Sequence, residues 1–164
     1  MIELAISGLL WFAALGCGVM AGVFFAFSGF INAALERAGQ VPGILAMNSI
    51  NETIVRSWFM PIFLGSTLTS LVLAALALGR WQQPGSLAQL AGGVIYVVGM
   101  FACTMVFNVP LNNALLAVDP ASPGGATVWA HFLDVWTRWN HVRTAASLVA
   151  TALFIGVLVA RARS

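Results

Sequence analysis

The chain has 164 residues, of which 60% are hydrophobic and only 7% charged, with a formal net charge of +2 and no lysine. Soluble domains carry about 25% charged residues. The deficit, with several long uncharged runs, excludes an ordinary soluble domain and a basic nucleic-acid surface, and points to an integral membrane protein of one domain.

Residues 4–35 form the first hydrophobic run and carry no charge. A span needs about 20 residues, so this helix tilts or projects beyond the hydrocarbon. Gly16, Gly18 and Gly22 permit close helix approach. The run has no positive segment before it and is far longer than the core of a signal peptide, so it reads as a retained helix. The second span is expected at about 58–79, with Pro61 in its first turn, where a missing N–H costs little. Pro84-Gly85 marks the turn that follows. The third is expected at about 87–108, bent or ended by Pro110. The fourth is expected at about 144–160, preceded by an amphipathic helical approach from about residue 127.

These elements predict an all-α polytopic membrane protein, four transmembrane helices in a bundle with both termini on one side. The short loop holding Arg80 shares that side. The opposite side carries the longer connections, 36–57 and 109–143. In the first, Pro42-Gly43 precedes a helical pattern in which Ala46, Ile50, Ile54 and Trp58 recur every four residues. In the second, residues 119–125 read as a loop. Arginines fall on both sides, and three on the far side have an acidic residue within four positions: Arg37 by Glu36, Arg56 by Glu52 and Arg138 by Asp134. Positive charge near span ends favours the inner face; the expectation is an inner or plasma membrane with the termini in the cytoplasm. Cys17 and Cys103 lie in apolar runs without metal-ligand spacing and are expected to pack as small hydrophobes.

Polar side chains gather on the far side. Asn32, Asn48, Asn51, Glu52, Asn108, Asn112, Asn113, Asn140, His141 and Arg143 all fall there, and an apolar pocket with a few convergent polar groups is the default ligand site. Helix capping by Asn and headgroup anchoring by Trp and Arg are the competing explanation, one that accounts well for Trp58, Trp81, Arg80, Arg161 and Arg163. Along the approach, Trp129, Phe132, Trp136, Trp139 and Arg143 make one stripe, with Asn140 at its edge. His131, Asp134, Arg138 and His141 make a roughly opposite stripe facing water or headgroups. His141 therefore shares a pocket with Arg143 only if the helix breaks or the pocket wraps around it. Phe24, Ser28 and Asn32 share one face of the first helix, and the segment 107–112 offers two side-chain amides beside Pro110. His131 and His141 are the only histidines, and no carboxylate or thiol spacing joins them into a haem or metal site; no metal or cofactor is expected.

The segments Gly22–Ser28, Ala46–Asn51, Trp58–Met60, Phe107–Asn112 and Trp136–Thr144 together resemble the small four-helix membrane proteins called anthrone oxygenase-like. The last two segments are the specific ones. The family pattern often has Asn-Pro where this chain has Arg56-Ser57, and Pro where it has Ala33. The resemblance implies oxidation of an anthrone to an anthraquinone by molecular oxygen.

Two functional classes follow. One is a cofactor-independent oxygenase of an anthrone-like or phenolic aromatic that yields a quinone. In that reading His141 takes the benzylic proton. Asn108, Asn112, Asn140 and Arg143 donate to the developing enolate oxygen. Trp136, Trp139 and Phe107 stack on the rings, and Asn51 and Ser28 line the pocket. The other class is a non-catalytic quinone- or lipid-binding protein, or an accessory subunit of a larger membrane complex, with the same polar groups as interhelical glue. The expected partners are a hydrophobic aromatic small molecule or a quinone or lipid, and the bilayer; there is no nucleic acid, and self-association through the first helix is a further expectation.

Overall fold

A computed structural model describes residues 1–163 of the chain. Five helices form it: α1 Ile2–Ala38, α2 Gln40–Ile54, α3 Phe59–Gly79, α4 Ser86–Ala117 and α5 Pro123–Ala162. There is no strand among the described residues. All but α2 are long and apolar enough to cross a membrane. α1 packs along α3 and α5, and α4 packs along the other sides of the same two, so the four long helices close a bundle. Glu3 pairs with both Arg80 and Arg161. That three-way clasp holds the start of α1, the α3–α4 turn and the end of α5 at one end, the predicted arrangement of the termini.

Inside a membrane, apolar side chains gain little by leaving lipid, so association rests on close packing and interhelical hydrogen bonds. Small residues supply the close packing. A Cβ on Gly16 would stand 2.8 Å from Ser66 Cβ, and one on Gly99 would stand 2.6 Å from Ala146 Cβ. Buried hydrogen bonds join α3 to α4: Ser66 Oγ lies 2.7 Å from the hydroxyl of the fully buried Tyr96, and Gln89 Nε2 donates to the Leu73 carbonyl at 2.8 Å. Cys17 and Cys103 are buried free thiols. Trp11, Leu15, Phe25, Leu68, Val98 and Leu148 point outward, an apolar surface suited to lipid. Gly16→Leu is expected to force α1 from α3 and cost about 1–3 kcal/mol, read as a lowered unfolding midpoint in detergent.

Two expectations are corrected. Pro110 does not end the third span, because α4 runs on to Ala117. The π-helical turn over Thr104–Asn108 shifts the hydrogen-bond register just before the proline, where an N–H is missing. The approach and the fourth span are one continuous helix, α5, which begins at Pro123 inside the expected loop. Ser122 caps it, its Oγ accepting from the Gly125 N–H at 2.9 Å. The break in the first connection lies at Gly39, whose φ of +97° suits glycine, and Pro42 sits in the first turn of α2.

α2 covers the polar end of the bundle. Ile44 and Met47 from α2 pack with Phe27, Leu115, Trp129, Phe132 and Trp136 in a second apolar cluster, separate from the bundle core around Leu10, Met20, Phe63, Tyr96 and Phe154. Gln40 ties α2 to the following connection, its Nε2 donating to the carbonyls of Pro120 and Ser122.

Candidate functional site

Between these two clusters lies a cavity of about 290 Å³ to which all five helices contribute. α1 supplies Val23, Phe24 and Phe27; α2 supplies Met47, Ile50, Asn51 and Ile54. Phe59, Met60 and Phe63 come from α3, and Thr104, Met105, Val109 and Asn112 from α4. Trp136 and Arg143 come from α5. The volume is close to the lower end of the range for small-molecule pockets, and the mix of aromatic walls with few polar groups is typical of them. Val55 and Met105 reach the outer surface, so the cavity approaches lipid where α3 begins beside α4.

Arg143 is the centre of the site. It is 5% exposed, yet no acidic group among the described residues pairs with it. Its guanidinium lies 4.4 Å from the ring centroid of Phe24 and 4.8 Å from that of Trp136, two faces that attract a cation. Nη2 donates to Asn140 Oδ1 at 2.6 Å and Nη1 to Thr104 Oγ1 at 3.4 Å. Nε is buried with no partner. A cation sequestered from water without a counter-anion carries a desolvation cost that an anionic ligand would offset.

Asn140, fully buried, is what aims the guanidinium. Its Nδ2 donates to the Phe24 carbonyl and to Ser28 Oγ, each at 2.6 Å, while its Oδ1 receives Arg143. Ser28 Oγ lies 3.4 Å from Thr144 Oγ1, which donates to the Asn140 carbonyl at 2.9 Å. The Phe24 and Ser28 partners flank the start of the π-helical turn Phe27–Ile31 of α1. Such turns widen a helix and recur at functional sites. α5 has its own over Phe132–Trp136, just ahead of the motif residues.

The other candidates separate into groups. Trp136 lines the cavity and packs at 5.6 Å from Phe27 and 5.4 Å from Phe132, with its indole N–H buried and unpaired. Asn51 and Asn112 also line the cavity. Asn108 is buried but belongs to the scaffold; its Nδ2 donates to the Trp136 carbonyl at 3.2 Å, and it is not part of the cavity wall. Ser28 likewise acts through Asn140 rather than from the wall. Phe107 and Trp139 stack on each other, centroids 3.6 Å apart and planes 3° from parallel, outside the cavity.

His141 is exposed and is not part of the cavity wall. The expected meeting of His141 and Arg143 in one pocket does not occur, because α5 runs through residues 137–162 as an unbroken α-helix that holds the two on different faces. The two-stripe reading of α5 holds except at Trp139: Trp129, Phe132, Trp136 and Arg143 are buried, as is Asn140 at the stripe's edge, Trp139 is only half-buried, and His131, Asp134, Arg138 and His141 are exposed. Arg138 pairs with Asp134 at 2.7 Å on that outer face, and Arg56 with Glu52 at 3.5 Å. No group of three or more His, Cys, Asp or Glu side chains able to hold a metal ion occurs among the described residues.

Several wall residues carry no polar signature: Phe27, Met47, Phe59 and Met60 stood out only as members of the resemblance segments, and Phe63 and Met105 not at all. Thr104 was detectable in principle, lying four residues before Asn108 on the same helix. Phe24, already placed on the face of Ser28, acquires its role only once α5 is docked beside it.

A family model described as anthrone oxygenase matches residues 53–153 of the chain. No curated protein and no solved structure gives a match.

Proposed function

The chain belongs to the anthrone oxygenase family, and from that premise we propose that it is a membrane-embedded oxygenase of a flat, enolisable aromatic ketone of the anthrone or phenolic class, giving a quinone. The observation that carries the reading is Arg143: a buried guanidinium, without a carboxylate, on the wall of an apolar cavity. An anthrone is apolar enough to enter from lipid, and its enolate places one negative charge on an edge oxygen. Arg143 binds that oxygen and lowers the energy of the enolate relative to the ketone, the role of an oxyanion site in a water-poor pocket. Asn140 and Thr104 hold the guanidinium in place, and Phe24 and Trp136 fix its plane.

The wall contains no His, Asp or Glu. In this reading the acidifying group carries the proton-removal step rather than a strong side-chain base. The proton passes to water in the adjoining polar chamber lined by Asn48, Glu52 and Asn113. The carbanion-like enolate then reacts with molecular oxygen in a pocket whose apolar walls exclude bulk water, with no cofactor required for the electron count.

The test is oxygen consumption by detergent-purified protein given anthrone, against a no-protein blank, because anthrones autoxidise. Uptake above the blank with stoichiometric anthraquinone is the expected result. His141→Ala should retain turnover within about twofold, since exposed substitutions far from a site change little. Loss of turnover in a folded His141→Ala protein would bring that residue back into the reaction. Saturable binding of anthrone or quinone without oxygen uptake would instead assign the cavity to a quinone- or lipid-binding role.

A further inference from the structure

Asn51 and Asn112 line the cavity and also line the second, polar chamber of about 560 Å³; Val55 and Val109 are shared in the same way. Arg143, Trp136 and Thr104 line the first cavity alone. The two amides therefore stand at the partition between the chambers, while the guanidinium lines the first cavity only. Asn51 Nδ2 and Asn112 Oδ1 are buried without partners, one a donor and the other an acceptor. Leaving both unpaired is costly, and a single group that accepts from one and donates to the other would satisfy them together.

Resting on the oxygenase reading above, we propose that Asn51 and Asn112 form the subsite for the oxygen atom that the reaction installs. In a flat three-ring ketone the methylene carbon lies directly across the central ring from the carbonyl. The proposed pose sets the carbonyl oxygen on Arg143 and that carbon at the partition. Loss of one methylene proton gives the enolate, whose electron density rises at this carbon. A C–O bond forms to molecular oxygen, the O–O bond is kept, and the peroxide anion takes a proton to become a hydroperoxide.

A hydroperoxide matches the pair: its carbon-bound oxygen accepts from Asn51 Nδ2, and its terminal O–H donates to Asn112 Oδ1. Loss of the second C–H proton then breaks the O–O bond, forms the carbonyl, and releases hydroxide, which combines with that proton as water. The carbon loses four electrons and molecular oxygen gains four. The water leaves through the polar chamber while the quinone stays in the apolar one.

The test uses the full chain in detergent, with Asn51→Leu and Asn112→Leu. Binding of anthrone and of 9,10-anthraquinone is followed by quenching of tryptophan fluorescence, and quinone formed is counted per oxygen consumed. The native protein should prefer the quinone, with its second carbonyl, by about tenfold. It should form one quinone per oxygen. Both variants should bind anthrone as before; Asn51→Leu, which removes the donor to the second carbonyl, should lose the preference, whereas Asn112→Leu, whose acceptor pairs only with the hydroperoxide O–H, should keep it. Their quinone yield per oxygen should fall roughly threefold or more, with hydrogen peroxide and coupled dimer making up the difference. If a leucine variant does not fold, Asn51→Ser and Asn112→Ser, which shorten the amide without adding bulk, carry the same expectation. Unchanged preference in folded Asn51→Leu and unchanged yield in both folded variants, alongside lost binding in Arg143→Met, would overturn the subsite and leave the oxygenase reading standing. A native protein that neither binds anthrone nor consumes oxygen above the blank would overturn both.

Discussion

Arg143→Met should abolish most turnover while leaving the fold intact. The guanidinium is the one charged group on the cavity wall. Donors aimed at a developing oxyanion are worth about 10²–10³ in rate, so kcat/KM for anthrone should fall by about that factor. Stability should move in the opposite sense from a usual core mutation, or barely at all. The substitution strands Asn140 Oδ1 and loses the weak Thr104 contact. It also removes a buried cation that has no anionic partner, and replacing buried charge with an apolar group of similar volume is often neutral or stabilising. An unfolding midpoint within about 1 kcal/mol of the native protein, with activity lost, identifies a functional arginine. The converse result, a protein that misfolds but whose folded fraction turns over normally, identifies interhelical glue. Arg143→Lys should be intermediate, because a point charge cannot reproduce the planar fork held between two rings.

Asn140→Ala should lower both stability and turnover. The side chain makes three hydrogen bonds that join α1, α5 and Arg143. At about 0.6 kcal/mol per interhelical bond in membranes, losing the two bonds to α1 should cost roughly 1 kcal/mol, seen in detergent unfolding. The effect on rate comes through position: once Arg143 is no longer held, a displacement of about 1 Å costs on the order of 10²-fold. Because the anion's binding partner is still present, the loss should fall on kcat more than on KM. Asn140→Asp separates the two roles. Its carboxylate beside the guanidinium would occupy the anion site internally, so inhibition by planar aromatic anions should disappear along with turnover. A stable Asn140→Ala protein with native kcat would remove Asn140 from its positioning role.

The stripe of α5 was legible because a buried face and a polar face alternate at helical spacing, and Trp129, Phe132, Trp136 and Arg143 keep that spacing. The convergence of amides at one end was legible because polar side chains are rare in this chain and each one registers. What they converge on was not. Asn108, Asn32 and Asn48 turned out to tie helices together: Asn32 Nδ2 donates to Thr137 Oγ1 at 2.7 Å and Asn48 Nδ2 to the Leu115 carbonyl at 3.4 Å. Asn51 and Asn112 reach the cavity instead. All five carry the same side chain, and only the neighbouring helix distinguishes a tie from a wall.

By itself, the sequence determined the membrane class, the long apolar helices, the meeting of both termini at one end of the bundle, and the gathering of polar side chains at the other. Each of these depends on local periodicity or on the long-range consequence of crossing a bilayer a given number of times. Tertiary structure alone decided which apolar residues are wall and which face lipid. Hydropathy carries no such distinction in a membrane, because the core and the lipid-facing surface are equally apolar. It also decided the π-helical turns, the aromatic faces that hold Arg143, and the outward placement of His141. Those depend on how α1, α4 and α5 dock, and docking is set by the close approach of small residues and by a few buried hydrogen bonds between residues far apart in the chain.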